Sequence, residues 1–201
     1  MRFFGPRSRR QRAQSLVEFT MIIPILMTMS LSVAEFGVAY GTNMSMIEAT
    51  REGARVGAVL VDGSRSLGLP SCPTGASTVD PQIVLAVQRA IESPGSGITL
   101  ANVDWIKIYE VDTSTNLPVS AHVNQWTYTG STSTYCGLTL DFIQGTVNWD
   151  PSSRSSTLPV SAIGVSIQYR YQLFTPLSAL TGLFGVHQIT MDDATVMDLE
   201  P

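Results

Sequence analysis

From Phe19 to Ala34 the chain runs sixteen residues without a charge, and twelve more follow from Phe36 to Ile47. A bilayer core needs about 20 mostly apolar helical residues, so Leu16 to roughly Tyr40 reads as one membrane span. Five arginines (Arg2, Arg7, Arg9, Arg10 and Arg12) precede it. They should stay in the cytoplasm by the positive-inside rule, which places the N-terminus inside and the body outside. One carboxylate, Glu18, sits at the mouth of the span, five places after the small residue Ala13. A carboxylate at that depth is expensive in lipid and calls for a partner or a task.

Charge supports the same division. Five of the twelve basic residues lie before Ala13, which leaves seven against sixteen acidic ones, a balance of −9. So acidic a body offers no electrostatic footprint for nucleic acid. Anionic headgroups would also repel it, so attachment to membrane lipid must come from the helix. Two cysteines, Cys72 and Cys136, both fall in the exported part. An even count in an oxidising compartment suggests one disulfide closing a long loop, with two unpaired thiols as the alternative.

The residues Thr42 to Leu60 contain good helix formers and no proline, so the helix should continue past the membrane as a stem. Glu48–Arg51 and Glu52–Arg55 are opposite charges at i,i+3 on its solvated face. Small residues (Gly37, Gly41, Gly53, Ala54 and Gly57) form a surface on which another helix, or the chain's own sheet, can approach closely. Pro24 removes one helical hydrogen bond and should kink the helix near its outset. Asp62-Gly63 ends the stem, and a Gly/Ser/Pro-rich loop follows. Asp80-Pro81 reads as an N-cap with proline at the first helical position, opening a short amphipathic helix that Ser93-Pro94-Gly95-Ser96-Gly97 stops. Strands are expected over Asn102–Val111, His122–Thr129, Val160–Phe174 and Gln188–Leu199, with Thr127–Thr134 and Ser152–Thr157 as solvated loops. The expected organisation is residues 1–13 as a basic leader, 14–41 as the span, 42–61 as the stem and 62–201 as an exported domain. The fold class is α+β: a long N-terminal helix, a short second helix and an antiparallel sheet.

Residues Gln14 to Ala58 resemble the TadE-like family, minor pseudopilins of the tight-adherence type IV pilus systems. The resemblance rests on Gln14-Ser15-Leu16-Val17-Glu18-Phe19, on Pro24, on Glu35-Phe36-Gly37, and on Ala49-Thr50-Arg51-Glu52-Gly53-Ala54-Arg55. It implies cleavage of a prepilin-type leader between Ala13 and Gln14, with Glu18 as the acidic fifth residue needed for processing and docking. The family more often has glycine where this chain has Ala13. Glu18 would pair with the freed amino group of Gln14 on a neighbouring subunit, neutralising both charges in lipid. Glu18, Phe19, Pro24 and Glu35 would serve assembly. The implied partners are the major pilin, a sister pseudopilin, the prepilin peptidase and the inner-membrane assembly platform. Glu35 lies about 25 Å from Glu18 along the helix, near the far interface, where a carboxylate can reach water cheaply.

Two other readings compete. Ser32-Val33-Ala34 before Glu35 offers the small residues a signal peptidase uses, and a cut there would release a soluble β-rich protein. The chain could also be an uncleaved, membrane-anchored interaction domain. An enzyme is not expected, and neither is a metal or another cofactor. His122 and His187 are isolated, and no GxSxG, HExxH or phosphate-cradling loop is present. Asp112-Thr113-Ser114-Thr115-Asn116 faintly resembles a metal-dependent adhesion site and reads better as a hairpin loop. Asp192-Asp193 read as a solvated face or a turn. Trp105, Trp126 and Trp149 could form a sugar-binding surface or pack in a core.

Overall fold

The computed structural model describes residues 9–60, 79–154, 161–176 and 188–199. Helix α1 spans Arg9–Leu60 and helix α2 spans Val79–Ile91. Five strands follow: β1 (Val103–Asp112), β2 (Leu117–Tyr135), β3 (Leu138–Val147), β4 (Ala162–Gln172) and β5 (Gln188–Asp198). They form one sheet in the order β3-β2-β1-β4-β5, every neighbouring pair antiparallel. This is the α+β fold that the sequence implies. The chain divides into two compact units. The first comprises Met1–Val38 and Leu173–His187, and the second Ala39–Gln172 and Gln188–Pro201.

Within the second unit, the inner sheet face follows from alternation. On β4, Ile163, Val165, Ile167, Tyr169 and Tyr171 are buried, as a period of two requires. Ile106 and Ile108 of β1, Trp126 of β2, and Leu140 and Phe142 of β3 continue that face. Ile83, Val84, Val87 and Ile91 of α2 are buried at helical spacing. The stem half of α1 closes the core through Met46, Ala49, Ala54, Ala58 and Leu60. On the stem, Gly53 and Gly57 approach α2 and β4 closely. A Cβ on Gly53 would stand 2.5 Å from Val87 Cγ2 and 3.2 Å from Val165 Cγ1. On Gly57 it would stand 2.7 Å from Ile163 Cδ1.

A buried polar knot ties α2 to the sheet. Asp80 lies in the first turn of α2 rather than capping it, because the helix begins at Val79. Its Oδ1 is 2.6 Å from Arg154 Nη2, and both side chains are almost wholly buried. Asn124 Nδ2 donates to Asp80 Oδ2 at 2.5 Å and to the Trp149 carbonyl at 2.7 Å. Asn124 Oδ1 accepts from the amides of Asn148 and Trp149 at 2.9 and 2.8 Å. The Arg154 guanidinium lies 4.2 Å from the centroid of the Trp149 ring.

Several expectations change. The Ser/Thr run Thr127–Thr134 belongs to β2, where it pairs mainly with β3 across a register shift between Tyr128 and Ser133. Threonine suits an exposed strand, so composition alone misleads there. Strand β3, not expected from the sequence, buries Leu138, Leu140 and Phe142 in alternation. On β5 the half-buried positions are Met191, Asp193, Thr195 and Met197, whereas Ile189 and Val196 are exposed. Of the loop expected over Ser152–Thr157, Pro151–Ser153 forms a 3-10 turn and residues 155–157 lie outside the described residues. The β2–β3 hairpin turns on Cys136 and Gly137, both at positive φ (52° and 81°), as a two-residue type I′ turn requires.

Two stability outcomes follow. In Gly53→Ala the crowding of stiff β-branched neighbours costs about 1–3 kcal/mol, against about 1 kcal/mol gained in helix propensity. Its urea midpoint in detergent should fall, while Gly41→Ala, with nothing within 4 Å, should hold or rise. Asp80→Ala leaves a buried guanidinium uncompensated and should cost about 3–5 kcal/mol. Glu52→Ala, from an exposed pair, should leave the midpoint in place.

Candidate functional site

The first unit carries the residues that the sequence singles out around the candidate membrane span. Its stretch of α1 includes an 18-residue window of mean hydropathy 1.9, none of it buried, so the helix is long and apolar enough to cross a membrane. Phe19 is exposed, and helix α1 runs through Pro24 without interruption. Three of the span's hydroxyls bond back to the helix. Thr20 Oγ1 donates to the Leu16 carbonyl at 2.7 Å, Thr28 Oγ1 to that of Ile25 at 2.9 Å, and Ser32 Oγ to that of Thr28 at 2.7 Å. Such back-bonding removes the cost of placing a hydroxyl in hydrocarbon. Glu18 is exposed, and its Oε1 accepts from Gln14 Nε2 at 3.2 Å, one turn earlier.

Glu35 behaves differently. It was expected to reach water, but it is buried, and its carboxylate takes the two amides that open the connection after β4. Phe174 N donates to Oε1 at 2.9 Å and Thr175 N to Oε2 at 2.8 Å. Charge-assisted bonds of this kind contribute about 1.5–3 kcal/mol each. Nothing in the local sequence signals this, since donor and acceptor lie 139 and 140 residues apart.

The small residues separate into two groups. Gly53, Ala54 and Gly57 pack within the second unit, with Gly53 and Gly57 both set against α2 and β4. Gly37 and Gly41 have nothing within 4 Å of the place a Cβ would occupy. Thr50 is fully buried; its Oγ1 donates to Asp193 Oδ2 at 2.5 Å and lies 2.9 Å from Thr195 Oγ1. Asp193 is therefore a tether from β5 to the stem rather than a solvated carboxylate. Arg55 bonds Glu52 through Nε and Nη2 at 3.0 and 2.6 Å, and its guanidinium holds the Glu52 carboxyl below its usual range. Nearer the start of the stem, Thr42 Oγ1 and Ser45 Oγ bond the backbone of Gly97, where a Cβ would crowd the Thr42 backbone at 3.3 Å.

The remaining candidates resolve as structural parts. Trp126 and Trp149 are buried, and Trp105 lies under Lys107 Nζ at 3.9 Å. His122 Nδ1 contacts Glu110 Oε2, while His187 lies outside the described residues. Cys136 is disulfide-bonded, and Cys72, the chain's other cysteine, lies outside the described residues. Ala13 falls within α1, with nothing described beyond its backbone. No group of three metal-ligating side chains occurs among the described residues.

Asp112–Asn116 is the β1–β2 hairpin loop. Asp112 Oδ1 accepts from Ser114 N at 2.8 Å and from Ser114 Oγ at 2.6 Å, and Asn116 takes the left-handed conformation at φ 55°. These bonds, the hydroxyl first, hold the Asp112 carboxyl below its ordinary range. Asp150 is lowered in the same way by the Ser152 amide and hydroxyl. A depressed carboxylate stabilises the fold above its unfolded pKa and loses that contribution as pH falls through its folded pKa. Ser114→Ala should therefore move the Asp112 titration, followed by carboxyl-carbon NMR, up toward an ordinary aspartate. An unmoved Asp112 would refute the loop's hydrogen bonds as the cause.

No curated protein and no solved structure matches the chain. A family model described as TadE-like protein does match, over residues 13–55, so the helical segment that bears Glu18, Glu35 and Gly53 is TadE-like.

Proposed function

We propose that the chain is a minor pseudopilin-like subunit for assembly of a tight-adherence type IV pilus. The observation that carries this reading is a coincidence of position. The TadE-like match begins at Ala13, immediately before the proposed mature start at Gln14, and contains an exposed apolar span with Glu18 at its mouth. In this reading the leader is removed on the cytoplasmic face and the helix stays in the inner membrane as a single pass. The domain lies outside, and the chain catalyses nothing. Glu18 neutralises the freed Gln14 amine of a neighbour as helices pack laterally, with Phe19 and the open backbone at Gly37 and Gly41 at the contact. The partners are the major pilin, a sister pseudopilin, the prepilin peptidase and the inner-membrane platform. The TadE-like match favours a role in the tight-adherence pilus system over a soluble secreted product. A cut after Ala34 would divide α1 in mid-helix and leave Glu35, with its two amide bonds, at a new terminus.

The test is the N-terminal residue of protein recovered from native membranes, set beside a peptidase-deficient strain. The expected result is a start at Gln14 that disappears in the deficient strain. A start at Met1 or at Glu35 would sink the proposal. Glu18→Ala should insert as well as the parent, because a charge leaves the lipid, yet abolish pilus assembly. Normal piliation in that strain would refute the docking role.

A further inference from the structure

The connection between β4 and β5 is longer and more apolar than its topology needs. The two strands pair antiparallel down to Gln172 and Gln188, where two residues could join them, yet fifteen intervene. From Leu173 to Val186 the sequence has no charged residue, and eight of its fourteen residues are Leu, Phe, Ala or Val. Solvated connectors are clusters of Ser, Thr, Asn, Asp, Gly and Pro, and this sequence is more apolar than that.

The structure fixes where that connection opens. Glu35 holds the amides of Phe174 and Thr175, so these residues lie at the level of Glu35 on α1. Glu35 itself ends the sixteen-residue uncharged run that begins at Phe19. A bilayer core of about 30 Å takes about 20 helical residues, so one that begins at Leu16 brings its far boundary to Glu35. Phe174 is 77% exposed there, and Val33 and Phe36 of the same unit are each 73% exposed. A phenyl ring left open to water at that level loses its transfer free energy, whereas the headgroup–acyl boundary takes apolar side chains to a depth of about 5–10 Å.

We propose that Phe174 is seated in the outer lipid interface, a second membrane contact besides the span, and that Glu35 positions it there. The inference rests on the membrane-span reading of α1. Glu35 suits the task because its two oxygens each take one of these amides, and the same bonds turn the backbone of the connection onto the helix.

The test uses the full chain in phosphatidylcholine liposomes, with Phe174→Trp and Phe19→Trp read as differences from the parent's native tryptophan signal. Lipids brominated near the headgroup, and separately acrylamide in the water, serve as quenchers. Phe174→Trp should emit at shorter wavelength than an exposed indole, lose intensity to the brominated lipid and be shielded from acrylamide. In the Glu35→Ala background the same tryptophan should lose that lipid quenching and gain acrylamide quenching, with helical circular dichroism unchanged. A Phe174→Trp open to acrylamide and untouched by brominated lipid, while Phe19→Trp is quenched by lipid, would overturn the contact and leave the span standing. Shielding from both quenchers would mean that a second copy covers Phe174, which also overturns a lipid partner. A Phe19→Trp untouched by brominated lipid would remove the span reading and the proposal with it. Lipid quenching that persists in Glu35→Ala would refute Glu35 as the positioning residue.

Discussion

The close approach of the α1 backbone at Gly53 and Gly57 is the constraint on which the domain's packing depends. A side chain at either position would stand within 3 Å of Val87 or Ile163. Without one, the stem helix can lie against α2 and β4 at once, and a single layer of Ile83, Val87, Ile163 and Val165 fills the space between. The alanines beside these glycines, Ala49, Ala54 and Ala58, keep the same helix face shallow. Thr50 then places a hydroxyl within reach of Asp193 and Thr195 on the edge strand β5. The stem thus does for the sheet what a separate core helix would do, using backbone proximity rather than bulk.

The polar knot around Asn124 adds a second, directional constraint. Its amide uses both ends, donating to Asp80 and to the Trp149 carbonyl and accepting from two backbone amides. It fixes the start of α2, the middle of β2 and the segment after β3 in one place. A buried pair such as Asp80–Arg154 contributes little net stability against an apolar substitute, yet removal of one partner alone is costly. Asn124 sits next to a register shift between β2 and β3, where strand pairing alone leaves the alignment loose.

Periodicity made much of this legible in advance. The apolar run gave α1, the three- and four-residue spacing of Ile83, Val84, Val87 and Ile91 gave α2, and alternation gave β1 and β4. What failed was composition read as structure. The Ser/Thr stretch of β2 resembles a loop because its residues are small and polar, yet it is an exposed strand that extends beyond β1. The start of α2 moved for a different reason: Asp80 looks like a cap, but its carboxylate is taken by Arg154, far along the chain and invisible to a local window. Gly97 read as a helix stop and also meets the Thr42 backbone. Long-range partners of single side chains have no periodic signature, and Glu35 and Thr50 belong to that class.

The two carboxylates that bracket the uncharged run answer the same physical problem in different ways. Glu35 is buried and meets its needs inside the chain, through two amides that donate to its two oxygens. Glu18 is exposed and has a neutral side-chain amide one turn away as its hydrogen-bond partner among the described residues. A neutral donor at 3.2 Å brings no opposite charge to this carboxyl, and a carboxyl at the mouth of a lipid span is costly without such a partner. Within the proposed function, the difference assigns the roles. The internally satisfied carboxylate organises its own chain, and the unsatisfied one is left for a positive charge from outside, which a cleaved neighbour's amino terminus would supply at the same depth.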